Sequence, residues 1–174
     1  MSHERGRPPQ AGRTLVFASA NHVWSDLFFA LLIPLLPLIR QDPNLDLTFT
    51  EAALLKSVWT GSSAVLQVPV GYLADGISEF WMIVGGNLWV AAGLLVMASV
   101  SGFWLLLAVT LAAGLGGGTQ HPLATSIVSK AFDDSEQATA VGTVNFSGDL
   151  GKMAAPAIAL AVATHQGWRS TLRV

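Results

Sequence analysis

Two pairs of ionisable residues stand at helical spacing inside otherwise apolar stretches of this sequence. His22 and Asp26 are four residues apart, and Asp149 and Lys152 are three apart. On a helix each pair shares a face. A carboxylate held beside a base, away from bulk water, can accept a proton and give it up again. The Asp149–Lys152 pair can also offset the cost of burying either charge. His121, between Gln120 and Pro122, is a third position that can carry charge. An imidazole there could titrate near neutral pH or hydrogen-bond a solute. Asp26 and Asp149 are the expected proton carriers. No serine-nucleophile motif and no His-Glu-x-x-His pair accompanies these residues, so no catalytic residue is assigned and intramembrane hydrolysis is the least supported chemistry. No cofactor and no metal site is expected.

Further polar residues repeat at the same period. Lys56, Thr60, Ser63 and Gln67 follow i, i+4, i+7, i+11, and so do Asn145, Asp149, Lys152 and Pro156. Each set falls within about 60° of helical arc. Thr110, Gly114, Gly117, His121 and Thr125 form a stripe of small and polar residues, while the stretch around Asn87 is otherwise apolar. Such stripes line a shared hollow, or they are hydrogen-bonding glue between helices. Lys56 either joins its stripe or snorkels outward. Gly114 and Gly117 suit close helix packing, and Pro34, Pro37, Pro69, Pro122 and Pro156 suit bends.

The elements that carry these stripes are long membrane helices. Hydrophobic types make up 52% of the 174 residues and charged types only 11%, with a mean hydropathy of +0.53. So few charges cannot cover a soluble domain of this size. A net charge of −2 excludes a basic nucleic-acid binder, and the absence of cysteine excludes disulfides and thiolate chemistry. Residues 57–74 and 80–129 contain no Asp, Glu, Lys or Arg. Five spans fit, at about 14–39, 50–73, 80–100, 103–128 and 138–165, behind a short polar tail at 1–13. Runs such as Leu88–Val100 lack the alternation of a β-barrel, so the spans are helices. Ala18-Ser19-Ala20 resembles a signal-peptide cleavage site, but the apolar run before it is too short for one.

Arg5, Arg7, Arg13 and Lys130 against Arg40, Arg169 and Arg173 favour a cytoplasmic N-terminus. Trp81, Trp104 and Trp168 fall at span ends, as interfacial aromatic residues do. The ending at residues 167–174 reads as the approach to a further helix, so truncation is one expectation.

Taken together, the chain resembles the N-terminal half of a major facilitator superfamily transporter, nearest the fosmidomycin resistance protein group of efflux permeases. Gly71 and Asp75 match the loop between the second and third helices, where the resemblance implies a gating contact. Gly76, Ser78, Glu79 and Phe80 depart from that loop's Gly and basic positions. Thr110-Leu-Ala-Ala-Gly114-Leu-Gly116 resembles the fourth-helix motif, with Thr110 in place of its Arg. Gly148, Gly151, Ala155 and Pro156 resemble the fifth-helix signature of antiporters, with Ala155 in place of a Gly. His22-Val-Trp-Ser-Asp26 and Gln120-His121-Pro122 resemble the subgroup.

The resemblance implies an all-α bundle of about five transmembrane helices. It implies part of a proton-coupled exporter working by alternating access, whose substrate or proton pathway includes His22, Asp26, Gln67, Gln120, His121, Asn145, Asp149 and Lys152. Expected partners are the lipid bilayer, a small-molecule substrate with protons, and the missing C-terminal helices or a second chain, with no nucleic acid. The expected location is a bacterial inner membrane. The alternative function is a non-transporting membrane partner or an inactive remnant.

Overall fold

A computed structural model describes residues 10–173, and all regular structure among them is helical. The helices are α1 (Ala11–Arg40), α2 (Phe49–Leu73), α3 (Glu79–Met97), α4 (Phe103–Leu115), α5 (Gln120–Ala131) and α6 (Asp134–Thr171). A 3-10 turn, Gly116–Thr119, joins α4 to α5, so the six helices make five rods. Three stretches are long and apolar enough to cross a membrane: Ala11–Arg40, Glu79–Met97 and Phe103–Ala131. The rods α2 and α6 are long too, with 25 and 38 residues. Their polar residues, among them Lys56, Gln67, Asp149 and Lys152, dilute the hydropathy of helices that pack in the same bundle. The chain is therefore a polytopic all-α membrane helix bundle.

Local chemistry explains where the rods start and stop. Thr48 caps α2: its hydroxyl accepts from the Glu51 N–H, and the Glu51 carboxylate accepts from the Thr48 N–H at 2.8 Å. Gly102, at φ +92°, makes the turn into α4 that a side chain would strain. α1 begins at Ala11, so residues 11–13 are helical where a tail was expected, and Arg5 and Arg7 lie outside the described residues. α6 starts before the expected 138, with Asp134 and Glu136 in its first turn complementing the helix dipole. It runs on to Thr171 through one non-helical residue, Gly167, at φ +79°.

The expected fourth span holds a break. Pro122 has no N–H for the carbonyl of Gly118, and its ring crowds that carbonyl. Just before it, Gly116–Thr119 (Gly-Gly-Gly-Thr) tightens into the 3-10 turn, whose end is two residues short of Pro122.

The rods meet through small residues. α6 turns Ala140, Val144, Gly148, Gly151, Ala155, Ala159 and Ala163 inward, and α1 lies along that stripe. A Cβ on Gly151 would stand 2.2 Å from the Val23 carbonyl oxygen, and one on Gly114 would stand 2.1 Å from Ser62 Oγ. Close backbone approach of this kind replaces the hydrophobic drive that lipid removes. Trp59 fixes α2 to α1 by donating to the Phe29 carbonyl at 2.9 Å and stacking on the Phe29 ring.

The outside is apolar: Val65, Val68, Tyr72, Trp81, Leu88 and Trp104 are all exposed, as lipid contact requires. Trp81 and Trp104 stand at helix starts, but Trp168 is buried and is not an interfacial anchor.

Candidate functional site

Apolar packing is interrupted at one level of the bundle. Along α1, one apolar cluster includes Ala18, and the next has its fully buried residues from Leu31 on, with Leu27 to Ala30 partly buried against it. Along α6 the corresponding residues are Val144 and Ala155, and along the fourth rod Ala113 and Ala124. Between them lie His22, Ser25 and Asp26 on α1, Asp149 and Lys152 on α6, and Gln120 and His121 at the start of α5. Asp26 and Lys152 stand near the midpoints of their helices. This polar waist is where the ionisable side chains meet.

Asp26 is its centre. It is 4% exposed, and three basic groups surround it. Lys152 Nζ lies 2.9 Å from Oδ2, His22 Nε2 lies 3.3 Å from Oδ2, and His121 Nε2 lies 3.9 Å from Oδ1. Lys152 also reaches Asp149 Oδ1 at 3.2 Å, so one ammonium bridges two carboxylates on two helices. The His22 and His121 rings meet edge to face, 5.0 Å apart. His22 is 1% exposed, and neither ring nitrogen has a hydrogen-bond partner among the described residues. Gly148 makes room for the pair: a Cβ there would lie 2.5 Å from Asp26 Oδ2 and 2.6 Å from the His22 ring. The other flank is open, since the side chains of His121, Lys152 and Asp149 are 44%, 47% and 64% exposed.

A second polar line runs beside this cluster. Asn87 on α3 donates to Asn21 Oδ1 at 2.9 Å, and Asn21 donates to Gln120 Oε1 at 2.6 Å. Gln120 is fully buried, and its amide nitrogen has no partner among the described residues. Asn21 and Asn87 were absent from the expected site. An amide alone in an apolar helix was the available signal for Asn87, and its spacing to a partner on another helix is invisible in one sequence.

The remaining expected residues are dispersed. Gln67 is half-buried on α2 and Asn145 is exposed on α6; neither bonds to the cluster. Lys56 and Thr60 are exposed although Ser63, on the same expected stripe, is buried. The hydroxyls of Thr60 and Thr110 are satisfied by carbonyls of their own helices, at Lys56 and Leu106. Pro156 is exposed, while Gly114, Gly117, Gly148 and Gly151 are all buried at helix crossings.

Gly71 and Asp75 are both exposed at the α2–α3 junction. Asp75 does not cap α3, whose N-cap is Ser78. The paired acid at that end is Glu79, which accepts from Ser126 and from Lys130, the latter at 2.9 Å.

The opposite end of the bundle carries a closed polar joint. Asp42 Oδ2 accepts from Trp168 Nε1 at 2.9 Å and from Arg169 Nε at 3.3 Å. The Arg169 guanidinium also donates to the Ala98 and Val100 carbonyls at 3.0 and 2.9 Å. Burial raises the Asp42 pKa, but the Asn44 N–H, the Trp168 indole and the Arg169 charge outweigh it and hold the carboxyl below its ordinary value.

The comparisons with known proteins agree with this architecture. The model of the Major Facilitator Superfamily matches residues 20–174, and the chain belongs to that superfamily of membrane transporters. The fosmidomycin resistance protein of Escherichia coli (strain K12) is 24% identical over 149 residues, covering 86% of this chain and 36% of that protein. A probable nitrate transporter, NarT, of Staphylococcus carnosus (strain TM300) is 25% identical over 174 residues, covering 100% of this chain and 42% of its own length. An MFS-type transporter, ppzB, of Metarhizium majus (strain ARSEF 297) is 23% identical, covering 78% of this chain and 31% of its own. The chain thus spans well under half the length of these relatives.

Proposed function

We propose that this chain forms the first five rods of a secondary active transporter that exports a small solute in exchange for protons by alternating access. It would sit in a bacterial inner membrane with its N-terminus in the cytoplasm, and helices beyond this chain, or a second chain, would complete the pathway. The observation that carries the reading is the Asp26 carboxylate, buried at mid-helix and met by Lys152 from α6. A charge at that depth is costly unless it is paired or used.

The pair works as a coupling element. Ionised Asp26 holds the Lys152 ammonium and so draws α6 onto α1. When Asp26 takes a proton, Lys152 keeps only Asp149 or turns to a solute on the open flank. An anionic solute would meet that ammonium directly, and one relative is named for nitrate. The name of another, a resistance protein, supports export. Alternating access then follows from opposing sets of helices rocking about the waist.

The test uses the transporter completed with its remaining helices, reconstituted in vesicles. Asp26→Asn should abolish flux driven by an imposed proton gradient while leaving solute exchange across a zero gradient. Unchanged gradient-driven flux would remove Asp26 from the coupling.

A second reading, a non-transporting membrane partner or an inactive remnant, draws support from the α2–α3 junction, where Asp75 is exposed and Ser78 stands at the N-cap of α3. Solute flux through vesicles that hold the 174-residue chain alone, compared with the completed version, separates the two readings.

A further inference from the structure

Three side chains of the waist have a chemistry that proton coupling does not require together. One ring nitrogen each of His22 and His121 and one Asp26 carboxylate oxygen all lie within 4.8 Å of one another. They come from two helices, α1 and α5, and converge from different directions. We propose that His22, Asp26 and His121 form a binding site for a borderline divalent transition-metal ion such as Zn2+ or Co2+. Two imidazoles and a carboxylate are the donor set these ions favour over Mg2+ or Ca2+.

Two further observations point to a ligand here. His22 is 1% exposed, and neither ring nitrogen meets hydrogen-bond geometry among the described residues. Its Nε2 has only the 3.3 Å contact with Asp26 Oδ2, so an ion shared by these two atoms would give the buried imidazole a stronger partner than it has. The spacing is also close to what is needed. A tetrahedral ion with bonds of about 2.1 Å sets its ligands about 3.4 Å apart. His22 Nε2 and Asp26 Oδ2 are already 3.3 Å apart. His121 must approach by about an ångström, and its side chain is 44% exposed.

Lys152 is the competitor, because its ammonium stands 2.9 Å from Asp26 Oδ2. It has a second home, since Asp149 Oδ1 is 3.2 Å away, so an incoming ion does not leave it unpaired. The fourth coordination position faces the open flank and takes water. Once bound, the ion ties α1 to α5 and occupies the carboxylate that Lys152 otherwise holds. The inference does not depend on transport.

The test titrates the full 174-residue chain, in detergent or nanodiscs, with Co2+ followed by Zn2+. One Co2+ per chain should bind with the visible d–d bands of nitrogen and oxygen ligation, and Zn2+ should bleach them. His22→Ala and His121→Ala should each weaken binding more than about 100-fold, beyond the effect of losing an outer-shell contact. Far-UV circular dichroism of each variant checks the fold. Lys152→Met should tighten binding several-fold by removing the competing ammonium, and this variant keeps all three ligands. The proposal is overturned if Co2+ binding gives no d–d bands, if both His variants bind like the parent, or if Lys152→Met weakens binding. Because no outcome reads solute flux, failure here leaves the transport reading standing, and loss of coupling in Asp26→Asn leaves this one standing.

Discussion

The bundle has two polar centres built in opposite ways. At the end remote from α1's start, every charged or polar group of the Asp42–Trp168–Arg169 joint has a partner. The guanidinium there reaches two carbonyls at the end of α3 as well as the carboxylate. At the waist, partners are shared and incomplete. One ammonium serves two carboxylates, and the buried His22 imidazole, with only a 3.3 Å contact to Asp26, meets no hydrogen-bond geometry among the described residues. A fully satisfied network rigidifies, whereas a partly satisfied one leaves alternative pairings of similar energy. The joint therefore reads as a structural clasp and the waist as the part that changes state. The difference is one of function within the same fold, and it can be broken experimentally from either side.

The largest effect on the fold should come from the packing that brings the waist together. A Cβ at Gly151 would collide with α1 backbone at the Val23 carbonyl and the Leu27 nitrogen, which stand 2.2 and 3.0 Å away. Backbone cannot swing aside as a side chain can. Gly151→Leu should destabilise the bundle by more than about 3 kcal/mol, the upper range for overpacking, and should fail to elute as a single species in size-exclusion chromatography. Gly142→Leu, on the same helix with open space around its Cβ, should elute like the parent. Equal behaviour of the two variants would mean that α1 and α6 are not held by this close crossing.

The clasp should give the next largest effect. Arg169→Ala removes the charge-assisted bonds to Asp42 and to the Ala98 and Val100 carbonyls, leaving Ala98 only the longer bond from Arg173 at 3.5 Å, so a loss of about 2–3 kcal/mol is expected, read as a lower thermal midpoint in detergent. Asp42→Asn should cost less, and the double variant should cost less than the sum of the singles.

The sign of the pH effect follows from Asp42. Its folded pKa is lowered, so its contribution is fully present above the ordinary carboxylate value. That contribution fades as pH falls through the lower folded value. The parent should therefore lose stability below about pH 4 more steeply than Asp42→Asn. Parallel acid limbs for the two proteins would remove the clasp as a source of stability.

What the sequence made legible follows from the range of each physical signal. Membrane helices, their number and their approximate bounds come from local hydropathy, and α2 and α3 end close to where composition places them. His22 with Asp26, and Asp149 with Lys152, were visible because a helix converts spacing directly into proximity. The contact of Lys152 with Asp26 was not visible: it depends on the register of α6 against α1, set by Gly148 and Gly151 across more than a hundred residues of sequence. The second-helix stripe shows the limit of periodicity. It groups Lys56, Thr60, Ser63 and Gln67 on one arc, but only Ser63 is buried and Gln67 half-buried. An arc of a helix is not the same as the arc its neighbours cover. Trp168 teaches the same point, since its position at a span end suited an interfacial anchor, while Gly167 turns the chain so that its indole donates to Asp42.

The smallest effect tests whether the waist extends beyond its charges. Asn87 is the one amide of α3, and it donates to Asn21, which in turn donates to Gln120 at the foot of the 3-10 turn. If this line only glues helices, replacing Asn87 by Leu removes a single interhelical hydrogen bond. Such bonds average about 0.6 kcal/mol within membranes, and the thermal midpoint should fall only slightly. Gln120 keeps its bond to Asn21 in that variant, so its position, and that of the adjacent His121, should be preserved. Co2+ affinity in Asn87→Leu should then stay within about twofold of the parent. A marked loss of affinity with an unchanged midpoint would show that the amide line sets the aim of His121. The waist would then include α3, and the contrast with the clasp would rest on four helices instead of three.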